Sequence, residues 1–306
     1  MVTQDGHDFH VYYAAETSIG VMADDQTWTP LLEVENISGR GKSQEVIETF
    51  RHGKRQRQGA VYSKIDQDDL QFTVNLTDDA MAGDTYTTFL VGFDEAFDAS
   101  PVSYVFLIMD SNDASGSLYE YYHGAYLNEV EISASDEQII SVTLTFLIQQ
   151  LIESATELYV SVSNTYTAYP ATIAYLLASD IAAFAKSGTF TSATNFLTDG
   201  TLMEFSLTLS QNGEKLWRID GQKYPNKVHF GEYDVEGSMV VDYENLLQMG
   251  EITAETAGIL TLDLGLTTAA TIALTNVTFE SVTYDSEPNS LITQDIDFSA
   301  DEATIT

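Results

Sequence analysis

The sequence contains no cysteine, which excludes disulfides, thiolate metal sites and cysteine nucleophiles together. Proline is scarce, at 5 in 306 residues, so little interrupts regular backbone. No apolar run approaches the ~20 residues that a membrane-spanning helix needs; Tyr104–Met109 is among the longest. No membrane partner is therefore expected. The opening MVTQDGHDFH has neither the basic nor the apolar region of a secretory signal, and the reading expects synthesis in the cytoplasm and a soluble product. Cations are scarce too. Lys and Arg number 12 against 47 Asp and Glu, a formal net charge of -35. A chain so acidic repels phosphates, which excludes sequence-reading of nucleic acid.

Self-repulsion at this charge opposes compaction, but at molar salt the Debye length falls to roughly 3 Å and screens it. The acidity therefore reads as adaptation to high salt. Disorder is excluded by what is abundant: 44 % hydrophobic residues, with 17 Tyr and 15 Phe, enough to bury a core.

Chemistry finds little footing. No Gly-Lys-Ser/Thr phosphate loop and no Gly-x-Ser-x-Gly elbow occurs, and among 47 carboxylates no pair stands out by spacing as acid and base. His7 and His10, beside Asp5 and Asp8, could be imagined to hold a metal, but a polar N-terminus explains them better and no metal site is expected. Asp110–Gly116 has the look of a calcium loop with Ala114 at a ligand position and its Gly one place late; a hairpin turn fits better. Neither an enzyme nor a cofactor is expected.

The pattern that dominates is alternation. Leu70–Leu76, Val142–Phe146, Gly258–Leu266 and Thr271–Phe279 alternate apolar and polar residues, the mark of half-buried strands. Turn-prone pieces, Asp110–Gly116, Ser210–Gly213 and Asp285–Pro288, separate them. Mainly antiparallel β structure is expected. Helix is expected at Ala171–Lys186, rich in Ala and Leu and closed by Gly188, with short helical pieces at Asp78–Gly83 and Glu244–Gly250.

Sliding the chain on itself brings His123–Ile148 over Thr275–Ala300 without a gap, with apolar positions coinciding at Leu127/Phe279, Val130/Val282, Leu144/Ile296 and Phe146/Phe298. The basic residues also recur in two windows. Arg40, Lys42, Arg51, Lys54, Arg55, Arg57 and Lys64 form one, and Lys186, Lys215, Arg218, Lys223 and Lys227 the other. Apart from Lys186, each window follows an alternating strand and precedes another. The reading is a divergent duplication with domains 1–152 and 153–306.

From Val235 to Gly250, through Gly258–Leu266 and Ile272–Tyr284 to the closing Leu291–Phe298, the order of elements resembles the C-terminal half of tail tube proteins of long-tailed phages. With the acidity, the source would be a siphovirus-like virus of a haloarchaeon. The resemblance implies two tandem tail-tube-like domains, each of two packed antiparallel sheets with a short flanking helix. Sheets of neighbouring subunits would share a β-barrel around a pore. A chain with two copies of the fold would build a homotrimeric ring, and rings would stack into the tail tube through which the genome is ejected. Its partners would be its own copies, the tape measure protein inside, terminator and baseplate proteins at the ends, and DNA passing without specific binding. Halophily and an acidic lumen both predict the acidity, so charge does not choose between them.

The long loops of such proteins reach the next ring, and the matching stretches here are 39–60 and 213–228. They hold Arg40, Lys42, Arg51, Lys54, Arg55, Arg57, Lys215, Arg218, Lys223 and Lys227, which the reading assigns to the ring-ring interface, paired with carboxylates of the neighbouring ring. A capsid decoration or baseplate protein, or a carbohydrate-binding or hydrolytic β-protein of a halophile, would share the composition and stays open here.

Overall fold

The computed structural model describes residues 9–17, 22–49, 59–78, 84–91, 93, 102–110, 118–135, 138–170, 173–188, 190, 194–195, 202–217, 223–225, 227–242, 257–265, 271–285 and 292–306. Strands form where the sequence alternates. In Leu70–Asn75 the residues Leu70, Phe72 and Val74 are buried while Gln71, Thr73 and Asn75 face the other way, as the period of two requires. Val142, Leu144 and Phe146 alternate with Ser141, Thr143 and Thr145 in the same manner.

The first ten strands are β1 (Phe9–Ala15), β2 (Thr27–Pro30), β3 (Val34–Ser38), β4 (Lys42–Thr49), β5 (Gly59–Gln67), β6 (Leu70–Asn75), β7 (Tyr104–Asp110), β8 (Leu118–Ser135), β9 (Ser141–Leu147) and β10 (Gln150–Ser154). They make two antiparallel sheets, β3-β6-β9-β8 and β2-β1-β7-β8-β10, with β4–β5 as a separate hairpin. The long β8 belongs to both: up to Ala125 it pairs with β7 and β10, and from Tyr126 onward with β9. The changeover sits at Gly124, whose φ of +59° is a backbone state that glycine adopts without penalty. The sheets meet across aromatic rings: Phe72 of β6 lies 4.8 Å from Phe106 of β7, and Phe106 lies 4.6 Å from Phe146 of β9, centroid to centroid.

After a short β11 (Thr165–Tyr166) come β12 (Ala183–Ser187), β13 (Thr194–Asn195), β14 (Leu202–Ser210), β15 (Glu214–Leu216), β16 (Lys227–His229), β17 (Asp234–Asp242), β18 (Ala257–Asp263), β19 (Thr271–Asp285), β20 (Thr293–Ala300) and β21 (Glu302–Ile305). They pair as β14-β17-β20-β19 and β13-β12-β18-β19-β21, with β15–β16 apart. The registers of the first ten strands recur. Leu127↔Phe146 and Val130↔Leu144 of β8–β9 recur 152 positions on as Phe279↔Phe298 and Val282↔Ile296 of β19–β20. Irregularities recur with them: the breaks at Leu127/Glu129, Tyr104/Phe106 and Val34/Asn36 have counterparts at Phe279/Ser281, Gly258/Leu260 and Leu202/Glu204. The left-handed Gly124 has its counterpart in Asn276 at φ 52°. Segments 123–148 and 275–300, aligned on sequence alone, thus occupy like positions.

One further ladder joins the halves. β8 pairs with β14 from Glu129↔Ser210 to Ser135↔Glu204. The two four-stranded sheets therefore continue into one, in the order β3-β6-β9-β8-β14-β17-β20-β19, over a single apolar core containing residues of both halves.

The segment between the halves lies back across the first. β11 runs parallel to β2, and the Asp25 carboxylate accepts the backbone N–H groups of Val162, Ser161 and Ser163 at 2.7, 2.9 and 3.0 Å, which hold it below the usual carboxylate range. Leu176 donates to the Leu76 carbonyl and accepts from Ile140 N–H, both at 2.9 Å.

Here the helix expected at Ala171–Lys186 is corrected. Among the described residues this stretch is extended, with bridges at Tyr175 and Leu177, one short turn at Ala178–Asp180 and then β12. Helix propensity is worth only a few tenths of a kcal/mol per residue. The ladder from β12 to β18 and burial of Phe184 outweigh it. Gly188, at φ +79°, follows the end of a strand rather than a helix. A wide helical turn does occur at Tyr86–Leu90, burying Tyr86, Phe89 and Leu90, just beyond the expected piece at Asp78–Gly83. Residues 79–83, the expected helix at 244–250 and the turns at 111–117 and 286–290 lie outside the described residues.

Candidate assembly surfaces

All cations of the two basic windows except Lys64 and Lys186 are expected from sequence at an interface between rings. Arg40 grips Glu120 of β8 with both arms of its guanidinium, Nη2 to Oε1 at 2.7 Å and Nε to Oε2 at 3.0 Å. The Tyr122 hydroxyl donates to Oε2 at 2.9 Å, and Phe9 presents its ring 4.5 Å from the guanidinium carbon. Burial first, then the neighbouring Glu120, pushes the Tyr122 phenol well above its ordinary value. Lys42 pairs with Glu153. Lys215 of β15 reaches Asp69 at 2.8 Å and Asp66 at 3.4 Å, and donates to the Gln67 carbonyl.

The two windows, far apart in sequence, thus meet in space. Besides the Lys215 contacts, the Lys64 ammonium sits 4.8 Å over the Trp217 ring, and Ile65 N–H donates to the Lys223 carbonyl at 2.8 Å. The β4–β5 hairpin and the β15–β16 hairpin thus lie against each other. Lys223 and Lys227 are exposed. Arg51, Lys54, Arg55, Arg57 and Arg218 lie outside the described residues, as do His7 and the Asp110–Gly116 loop beyond Asp110. Among the described residues no cluster of potential metal ligands occurs.

A second surface was not resolved by the sequence pattern. The joined sheet turns Phe72, Leu144, Ile132, Leu207, Met239 and Ile296 into the core. Apart from Val240, which lies between Glu204 and Asp295, its other face carries chiefly Ser, Thr, Gln and acids: Gln71, Thr73, Thr143, Thr145, Glu129, Glu131, Ser133, Glu204, Ser206, Glu236, Ser238, Asp295 and Asp297. None of its eight strands contains Lys or Arg. Short side chains cross-link it: Ser38 Oγ donates to Gln71 Oε1 at 3.1 Å, Gln71 Nε2 to Thr145 Oγ1 at 3.4 Å, and Ser133 and Ser141 hydroxyls lie 2.9 Å apart. Burial, and after it the neighbouring Glu131, raise the Glu129 carboxyl above its ordinary value.

The ends of the joined sheet form the third feature. Among the described residues β3 pairs with β6 alone, and Ser281–Asp285 of β19 pair with β20 alone. Each end leaves a row of backbone donors and acceptors facing outward, which is a template for another strand. Among the described residues, the joined sheet thus offers a polar face without Lys or Arg and two edges at which a further strand could pair.

The comparison with known families agrees. A family model described as phage tail tube protein matches residues 6–300, so the chain belongs to the phage tail tube protein family. It is a structural protein of the virion tail that self-assembles into a tube, and membership assigns it no enzymatic role. A comparison with curated proteins gave no match.

Proposed function

We propose that this chain is a duplicated tail tube subunit, three copies of which close a ring, and that rings stack into a tube whose lumen is the cation-free face of the joined sheet. The observation that carries the reading is the recurrence of registers and breaks between the first and last ten strands, continued through the β8–β14 ladder. One chain contributes eight strands to the barrel wall. At about 4.8 Å between strands and a tilt near 40°, three chains give a backbone diameter of roughly 50 Å and two chains only roughly 30 Å. With side chains lining the wall, three chains leave room for a duplex and its water. A lumen bearing Glu131, Glu204, Glu236, Asp295 and Asp297 and no cation would repel phosphates and let the genome slide during ejection, since affinity for DNA grows with each Lys or Arg that neutralises a phosphate.

The net charge of -35 fits a virus of a salt-rich host, where screening makes such a ring tolerable. The tape measure protein would fill this lumen before ejection, and terminator and baseplate proteins would meet the end rings. For ring stacking, the paired hairpins are the natural contact. Arg40, Lys42 and Lys215 already hold carboxylates of their own chain, so Arg51, Lys54, Arg55, Arg57, Arg218, Lys223 and Lys227 are the cations proposed to meet the acids of the next ring. The test is negative-stain microscopy of the purified protein in molar salt. Wild type should give tubes, and the triple variant Arg51→Gln, Arg55→Gln, Arg57→Gln should give single rings. Long tubes from the triple variant would remove the stacking role, and absence of rings and tubes from wild type would remove the reading as a whole.

A further inference from the structure

The segment that links the halves is unlike the rest of the chain. From Leu158 to Ser179 it contains no Asp, Glu, Lys or Arg, and no other uncharged run in the sequence is as long. Its inner side chains serve the fold. Leu158, Tyr159 and Tyr166 pack on the cluster around Trp28 and Tyr121, and Leu176 is buried in the main core. Its outer side chains do not. Val160, Val162, Tyr169, Tyr175 and Leu177 are exposed, Val162 to 85 %, and among the described residues they are five of the twelve large apolar side chains that face solvent. In a chain of net charge -35, a segment that only had to cross its own first half would carry acids on that side, as the polar face of the joined sheet does.

The linker is also anchored at intervals along its length. One Asp25 oxygen holds the N–H groups of Ser161, Val162 and Ser163. The Tyr159 hydroxyl lies 3.0 Å from His123 Nε2, and His123 Nδ1 lies 3.1 Å from the buried Glu16 carboxylate. Farther on, the Tyr169 hydroxyl donates to the Val11 carbonyl at 3.2 Å and the Tyr175 hydroxyl to Glu33. A surface held in place beforehand loses little conformational freedom when a partner docks.

We infer that the outer surface of the linker, with Val160 and Val162 foremost, is buried against a second copy of this chain in the assembled tube, a contact that rests on the tube reading above and is separate from the basic hairpins. Copies of the chain are the partner that fits. Every subunit carries this surface, whereas proteins that meet only the end rings would leave it bare on all subunits between, where exposed apolar patches invite unspecific association. Charge agrees, because two such acidic chains repel wherever their carboxylates face each other, and this stretch brings none. A guest inside the proposed lumen would not reach it. Along β1, Val11 and Tyr13 face the main core while Tyr12 and Ala14 face the cluster beneath the linker, so the β2-β1-β7 sheet stands between Leu158–Tyr166 and the joined sheet.

The absence of native cysteine lets a single thiol report burial. Purified Val162→Cys is assembled in molar salt, where only copies of the chain can cover the thiol, and is treated briefly with a fluorescent maleimide. Rings or tubes should label many-fold more slowly than chains kept apart by dilution. The double variant Val160→Ser, Val162→Ser should keep the wild-type circular dichroism spectrum. It should need roughly tenfold more protein to assemble, since burying one valine is worth at least that factor in an association constant. Equal labelling of assembled and separate chains, or assembly of the serine variant at the wild-type concentration, would overturn the linker contact while leaving the tube reading intact. If wild type forms neither rings nor tubes, the tube reading fails first and the contact with it.

Discussion

Replacing Arg40 by Gln tests whether this cation serves the chain's own fold. Its guanidinium makes two bonds to Glu120, a residue only 8 % exposed, and the Arg40 side chain itself is 30 % exposed. Removing one partner of a buried pair strands the other charge and costs about 3–5 kcal/mol when both are fully buried. Here water reaches the guanidinium side and the Tyr122 hydroxyl still donates to Glu120, so the cost falls to roughly 2–3 kcal/mol. Urea unfolding of the disassembled chain measures it. The double variant Arg40→Gln, Glu120→Gln should be less destabilised than Arg40→Gln alone, because no buried charge is left unpaired. The loss should also change little between moderate and molar salt, since a buried pair is weakly screened. A loss below about 0.5 kcal/mol, or one that vanishes in molar salt, is the behaviour of an exposed surface pair and would refute the argument.

Lowering salt from molar to millimolar should expand or dissociate the assembly, as sedimentation and circular dichroism would record; unchanged stability would count against halophilic adaptation. Glu129→Gln should raise the thermal midpoint at neutral pH. The folded-state pKa of Glu129 lies above its unfolded value, so its ionised form opposes folding at neutral pH and that opposition fades as pH falls through the folded value. The gain should accordingly vanish below about pH 4, where the native carboxyl is protonated in both states. An equal gain at both pH values would point to packing rather than charge.

Much of the joined sheet was legible because its signals are local. Alternation at Leu70–Leu76, Val142–Phe146 and Thr271–Phe279 specified strands and told which side chains enter the core. The alignment of 123–148 with 275–300 anticipated a shared register, since a one-residue slip would have turned every apolar residue to the wrong face. The recognisable order of elements covered only part of the second half, whereas the family match extends over residues 6–300. What the sequence could not carry were choices made by distant partners. Ala171–Lys186 has the composition of a helix, yet the free edge of β18 and the backbone groups of Leu76 and Ile140 make extended chain the better state there.

The sequence by itself determined that this protein is a β-rich, cysteine-free, acidic chain whose two halves alternate in the same rhythm, because strand period, turn residues and net charge are properties of neighbours along the chain. Only the tertiary structure decided that Arg40 belongs to Glu120 and Lys215 to Asp69, that the two basic hairpins lie against each other, and that β8 pairs with β14. Those contacts join residues roughly 70 to 150 positions apart, and such pairings follow from which edges and carboxylates the folded sheets bring within reach, which no local pattern encodes.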